Sequence, residues 1–82
     1  MYLAVTEVEP LEDYRLLLTF ENGEIRIFDM KPYLEKGVFQ ELKDEKLFRT
    51  VRVSFDSIEW SNQADIDPEV LYEKSKAYQS TT

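Results

Sequence analysis

The sequence predicts an α+β domain: an antiparallel sheet of two β-hairpins plus an N-terminal strand, packed with two short helices and one C-terminal helix. Two alternating apolar stretches, Tyr14 to Met30 and Val51 to Trp60, are each broken by turn residues, Asn22-Gly23 and Asp56-Ser57. Three helix-start patterns, at Lys31-Pro32, Asp44-Glu45 and Asp67-Pro68-Glu69, lie between and after them. A chain of 82 residues holds one domain, read here as 1–78 with a polar tail at 79–82. At that size only roughly 60–65% of the unfolded surface is buried, so the core must be small.

Leu3 to Val8 mixes β-branched and apolar residues, with Leu3 and Val5 on one side, and reads as an outer strand that Pro10 ends. In the next strand Tyr14, Leu16, Leu18 and Phe20 alternate with Arg15, Leu17 and Thr19. Asn22-Gly23 supplies the two positive-φ positions of a type I′ turn, and a second strand runs from Glu24 to Met30. A two-residue loop sets Phe20 opposite Ile25, Leu18 opposite Ile27 and, on the other face, Leu17 opposite Phe28. That other face is polar near the turn and apolar further away, at Leu17, Phe28 and Met30, so a helix or a partner is expected to cover it.

Lys31 to Gly37 reads as a short helical turn whose first amides Asp29 holds, and Val38 to Leu42 as a connector. Asp44 is the expected N-cap of a helix over Glu45 to Thr50, with Leu47 and Phe48 docked on the sheet. In the second hairpin, pairing Phe55 with Ile58 around Asp56-Ser57 places Val53 opposite Trp60, all facing the core. The last helix starts at Pro68, with Val70, Leu71, the stem of Lys74 and Tyr78 on its inner stripe and Tyr72 near the edge.

Composition excludes several functions. Seventeen acidic against ten basic residues give a net charge of −7, which phosphate backbones repel, so direct nucleic-acid binding is not expected. Cysteine is absent, which removes disulfides, thiolate nucleophiles and cysteine metal sites and fits a reducing, cytoplasmic setting. Histidine is absent too, and with it the one side chain that titrates unperturbed near neutrality. The N-terminus has no basic region or long apolar run, so neither a signal peptide nor a membrane span is expected.

Few residues offer chemistry. Asn62, Asp65, Asp67 and Glu69 bring one amide and three carboxylates together, the oxygen donors that Ca²⁺ or Mg²⁺ prefer. The spacing is not that of an EF-hand, and capping and turn roles account for the same residues. Lys43, Lys46, Arg49 and Arg52 form a local basic cluster, otherwise a solvated helix face. Trp60 alternates with Ile58 and reads as core. Tyr33, Tyr72 and Tyr78 beside Lys36, Lys74 and Lys76 read as helix-surface neighbours. No catalytic residue, cofactor or metal site is assigned, and the chain is expected not to be an enzyme.

Several strings in order, Leu18-Thr19-Phe20-Glu21-Asn22-Gly23-Glu24, Phe28-Asp29, Leu47-Phe48, Ile58-Glu59-Trp60 and Asp65-Ile66-Asp67-Pro68-Glu69-Val70-Leu71-Tyr72, resemble the prokaryotic family domain of unknown function 2442 (DUF2442) over nearly the whole chain. The resemblance implies a small bacterial α+β domain with no established activity. Members sometimes carry a following helix-turn-helix segment, and often sit beside a second family, DUF4160, in an arrangement similar to toxin–antitoxin pairs. With Thr82 so close after the last helix, no helix-turn-helix unit and no DNA-binding role are expected. Where the family has Asn-Gly-Ala-Asp, this chain has Asn62-Gln63-Ala64-Asp65, so Gln63 takes a positive φ at a cost of roughly 1 kcal/mol or the loop is remodelled.

The functional expectation is a protein–protein interaction module, the acidic, antitoxin-like member of a two-gene pair, with a DUF4160-like protein as candidate partner. Its candidate surface comprises Leu17, Phe28, Met30, Lys43, Lys46, Arg49, Asn62 and Asp65. The alternative is a small-ligand or divalent-metal domain using the Asn62 to Glu69 loop. Homodimerisation through an open edge strand is left undecided by the sequence.

Overall fold

The structure, a computed structural model, describes residues 3–78; the 79–82 tail lies outside the described residues. The strands are β1 (Val5–Leu11), β2 (Arg15–Phe20), β3 (Ile25–Asp29), β4 (Arg52–Ser54), β5 (Ser57–Glu59), β6 (Asp65–Ile66) and β7 (Lys76–Ala77). The helices are α1 (Glu45–Phe48) and α2 (Pro68–Lys74), joined by 3-10 turns at Glu12–Tyr14, Lys31–Tyr33 and Gly37–Lys43. The fold is α+β, with the two hairpins in separate antiparallel sheets ordered β1-β2-β3-β7 and β4-β5-β6. β1 continues through Pro10, which pairs in register with Leu16, because an edge strand tolerates a residue without an N–H. An irregularity between Val5 and Glu7 turns Val5 inward against Phe20 and Glu7 outward.

The first hairpin corrects the expected register by one residue. Its loop is Glu21-Asn22-Gly23, closed by the Phe20 N–H donating to the Glu24 carbonyl at 2.9 Å, with Gly23 at φ 88° and Asn22 not left-handed. Leu16 therefore faces Phe28, Leu18 faces Arg26, and Leu17 faces Ile27. A slip of one position moves every side chain to the other face. Leu16, Leu18, Phe20 and Phe28 line the core, whereas Leu17, Thr19, Ile25 and Ile27 form the outer face. The expected apolar strip of Leu17, Phe28 and Met30 does not exist, since Phe28 and Met30 are completely buried.

The second hairpin is shifted by two. Ser54 faces Ser57 and Val53 faces Ile58, so Phe55 and Asp56 are the turn and Phe55 leaves the core. Three contacts hold this register: the Arg52 to Glu59 ion pair at 3.3 Å, the Ser57 hydroxyl donating to the Ile66 carbonyl, and the Val5 N–H donating to the Asp56 carbonyl at 2.9 Å.

The expected caps are in place. Asp29 accepts from the Lys31 N–H, Asp44 from the Lys46 N–H and Asp67 from the Glu69 N–H, at 2.9, 3.0 and 2.8 Å. α2 ends earlier than its pattern predicts, at Lys74. The Arg26 guanidinium donates to the Ser75 carbonyl (2.8 Å) and hydroxyl (2.7 Å), drawing the chain away into β7 beside β3. Tyr78 consequently lies past the helix, 47% exposed, and Lys74 is exposed rather than inward. Trp60 is fully buried between the sheets and the middle segments, its indole N–H donating to the Phe48 carbonyl at 2.9 Å. Leu42, Phe48, Ile58, Ala64, Ile66 and Leu71 complete the core around it.

Candidate functional site

Among the residues expected to form a surface, Leu17 is half-buried on the outer face and Phe28 and Met30 are withdrawn into the core. Lys43 is paired with Glu35 at 2.6 Å and Arg52 with Glu59, while Lys46 and Arg49, exposed on the α1 segment, make no ion pair among the described residues. The cluster is thus partly neutralised by Glu35 and Glu59.

Asn62 lies in a loop whose geometry repeats that of the first hairpin, and Asp65 begins β6 just after it. The Trp60 N–H donates to the Ala64 carbonyl (2.9 Å), the Gln63 N–H to the Trp60 carbonyl (2.9 Å), and the Ala64 N–H to Asn62 Oδ1 (3.1 Å). Phe20, Asn22, Gly23 and Glu24 make the same three bonds at 2.9, 2.9 and 3.0 Å. Gln63 holds φ 73° in the seat that Gly23 occupies in its twin, so the loop keeps its shape and bears the strain. Two of the four donors are engaged in the fold: Asn62 closes the turn and reaches Glu41 (3.3 Å), and Asp67 caps α2. Among the described residues, no group of three or more carboxylates is arranged to hold a metal ion.

A polar cluster lies between the first hairpin and α2. The Tyr72 hydroxyl donates to Glu24 Oε2 (2.7 Å), Asn22 Nδ2 donates to the same oxygen (2.7 Å), and Arg26 pairs with Glu24 Oε1 (3.3 Å). These partners, Tyr72 first, hold the Glu24 carboxyl below its ordinary value. The bond to Glu24, followed by burial and the carboxylate's charge, pushes the Tyr72 hydroxyl up. A similar exposed pair joins Lys31 to Asp13 at 2.9 Å; the hydrogen bond lowers the Asp13 carboxyl and raises the Lys31 ammonium. Every polar group in the Glu24 cluster is satisfied, and its geometry ties a helix end to a sheet.

The feature missed from the sequence is Phe55. At the β4–β5 tip its side chain is 99% exposed and its φ is 56°, a left-handed conformation that costs a bulky residue about 1–2 kcal/mol. It borders an open groove of about 440 Å³ whose floor includes Ile58, Ile66 and Pro68. The charged residues lining that groove are all acidic: Asp56, Glu59, Asp65 and Asp67. The signal for this register was present in the sequence, since only the pairing of Ser54 with Ser57 sets Arg52 opposite Glu59.

A second surface, left uncovered by the described residues, is the outer face of the four-stranded sheet. Leu17, Ile25 and Ile27 lie there outside the core cluster, beside Tyr78, whose N–H donates to the Ile25 carbonyl at 2.9 Å.

These elements define a small antiparallel α+β domain with an apolar knob at one hairpin tip and one sheet face that the described residues leave uncovered. The family model for protein of unknown function DUF2442 matches residues 5–77, nearly the whole chain, and the chain belongs to that family. No curated protein and no solved structure shows significant similarity to it. Among the described residues no helix is long and apolar enough to cross a membrane.

Proposed function

We propose that the protein is a non-catalytic protein–protein interaction module, the acidic, antitoxin-like member of a two-protein pair acting in the cytoplasm. It docks through the β4–β5 tip. The observation that carries this reading is Phe55, whose ring lies in water at φ 56°. Stability alone favours Gly or Asn at such a position, since both enter the left-handed region more easily. Burying the ring in a partner contributes about 1.5–3 kcal/mol, enough to offset the strain.

Charge specifies the partner. The acids beside Phe55 and the net charge of −7 favour a basic protein with an apolar socket flanked by Lys or Arg. A second copy of this chain would bring acid against acid at the same tip. The product of the adjacent gene, DUF4160-like in the arrangement that the family resemblance implies, is the first candidate. Co-expression of a tagged copy with that gene is expected to yield a stoichiometric complex that dissociates as salt is raised. A lone, monodisperse tagged protein would overturn the assignment of that partner.

A further inference from the structure

We infer that the outer face of the four-stranded sheet is a homodimer interface, in which two copies pack face to face about a twofold axis parallel to the strands. The surface consists of different residues from the Phe55 tip, and the inference does not depend on that reading. Register places Glu9, Leu17, Ile27 and Lys76 side by side across the four strands: Glu9 faces Leu17, Leu17 faces Ile27, and Ile27 faces Lys76. The neighbouring row runs Glu7, Thr19, Ile25 and, beyond β7, Tyr78. Each row begins with an acid at the β1 edge, and the first ends in a base at the β7 edge. The centre holds Leu17, Ile27 and Ile25 with Thr19 among them; Ile25 is 43% exposed, and Tyr78 at the β7 edge 47%.

This pattern is self-complementary in one orientation only. A twofold axis along the strands exchanges the two edges, laying Glu9 over the second copy's Lys76 and Leu17 over its Ile27. An axis running across the strands would lay Glu9 over Glu9. Among the described residues neither Glu7, Glu9 nor Lys76 makes an ion pair within the chain. Glu9 and Lys76 stand three strand spacings apart, about 14 Å, so they cannot reach each other in one copy. An acidic partner would meet Glu7 and Glu9, and a basic one Lys76, whereas a second copy pairs Glu9 with Lys76 at both ends of the first row and lays Glu7 over its Tyr78 hydroxyl. The patch measures about 19 by 17 Å, roughly 650 Å² over the two copies and well below the area of a stable specific interface, and the like net charge of the copies opposes association. The dimer is therefore weak and transient, populated only at high concentration.

Sedimentation of the pure protein from micromolar to millimolar concentration tests this. Wild type is expected to pass reversibly from monomer to dimer. E9K, which puts a base at both ends of the first row, and K76E, which puts an acid at both ends, should each weaken self-association by roughly tenfold or more. Mixed in equal amounts, the two variants should regain a one-to-one dimer, which misfolded chains could not do. The inference is overturned if wild type stays monomeric throughout, if either variant dimerises as well as wild type, or if the mixture of variants that retain wild-type circular dichroism fails to associate.

Discussion

The guanidinium carbon of Arg26 lies 4.4 Å from the centre of the Tyr72 ring, while its nitrogens hold the carbonyl and hydroxyl of Ser75. One side chain from β3 thus supports the ring above it and stops the helix that carries the ring. Arg26→Met keeps the aliphatic stem but leaves the buried Ser75 without its charged donor. Such bonds contribute about 2 kcal/mol, so the melting temperature should fall by about 10 °C, read by circular dichroism.

The Glu24 and Tyr72 pair predicts a pH dependence with two limbs. Glu24 is lowered in the folded state, so its contribution is present above its ordinary value of 4.5 and is lost as pH falls through the folded value. Tyr72 is raised, so its contribution is complete below its ordinary value of 10.0 and is lost as pH rises through the folded value. Tyr72→Phe retains the edge-on contact with Phe20, 5.2 Å between centroids, and should flatten both limbs. Urea titrations at a series of pH values check this.

Gln63→Gly relieves the left-handed strain that Gly23 avoids in the twin turn. The gain, about 1–2 kcal/mol less the added chain entropy of glycine, comes to about 0.5–1 kcal/mol. Chemical denaturation should show a higher midpoint with an unchanged slope; a lower midpoint would contradict the equivalence of the two turns.

Trp60, fully buried and bonded to the Phe48 carbonyl, should emit in the blue and resist acrylamide quenching until the protein unfolds. Trp60→Phe leaves that carbonyl without its donor and should destabilise by about 2–3 kcal/mol, measured by the same denaturation.

The legible parts of the fold were those set by local chemistry. Asp29, Asp44 and Asp67 each cap the turn their neighbours announce, and Trp60 lies in the core as alternation with Ile58 requires. Registers were less legible. Asn22-Gly23 fits both a two-residue and a three-residue loop, and the choice rests on Glu24, whose partner Tyr72 is 48 residues away. The end of α2 was likewise hidden, because Arg26 and Ser75 meet only in the folded chain. At the second tip, apolar alternation argued for burying Phe55, while the complementary charges of Arg52 and Glu59 argued for exposing it. The site was therefore the least legible part, since its main residue obeys the alternation pattern in sequence and breaks it in structure.

Phe55→Asn tests the central claim most directly, because it removes the ring where asparagine suits the backbone. The measurement is retention of the co-expressed neighbouring protein on the tagged chain, wild type against variant, with the melting temperature of each recorded. Retention by wild type and its loss in Phe55→Asn, with the variant melting at least as high, is the predicted result. Equal retention by the two, or a variant that loses binding only because its melting temperature has collapsed, would contradict it.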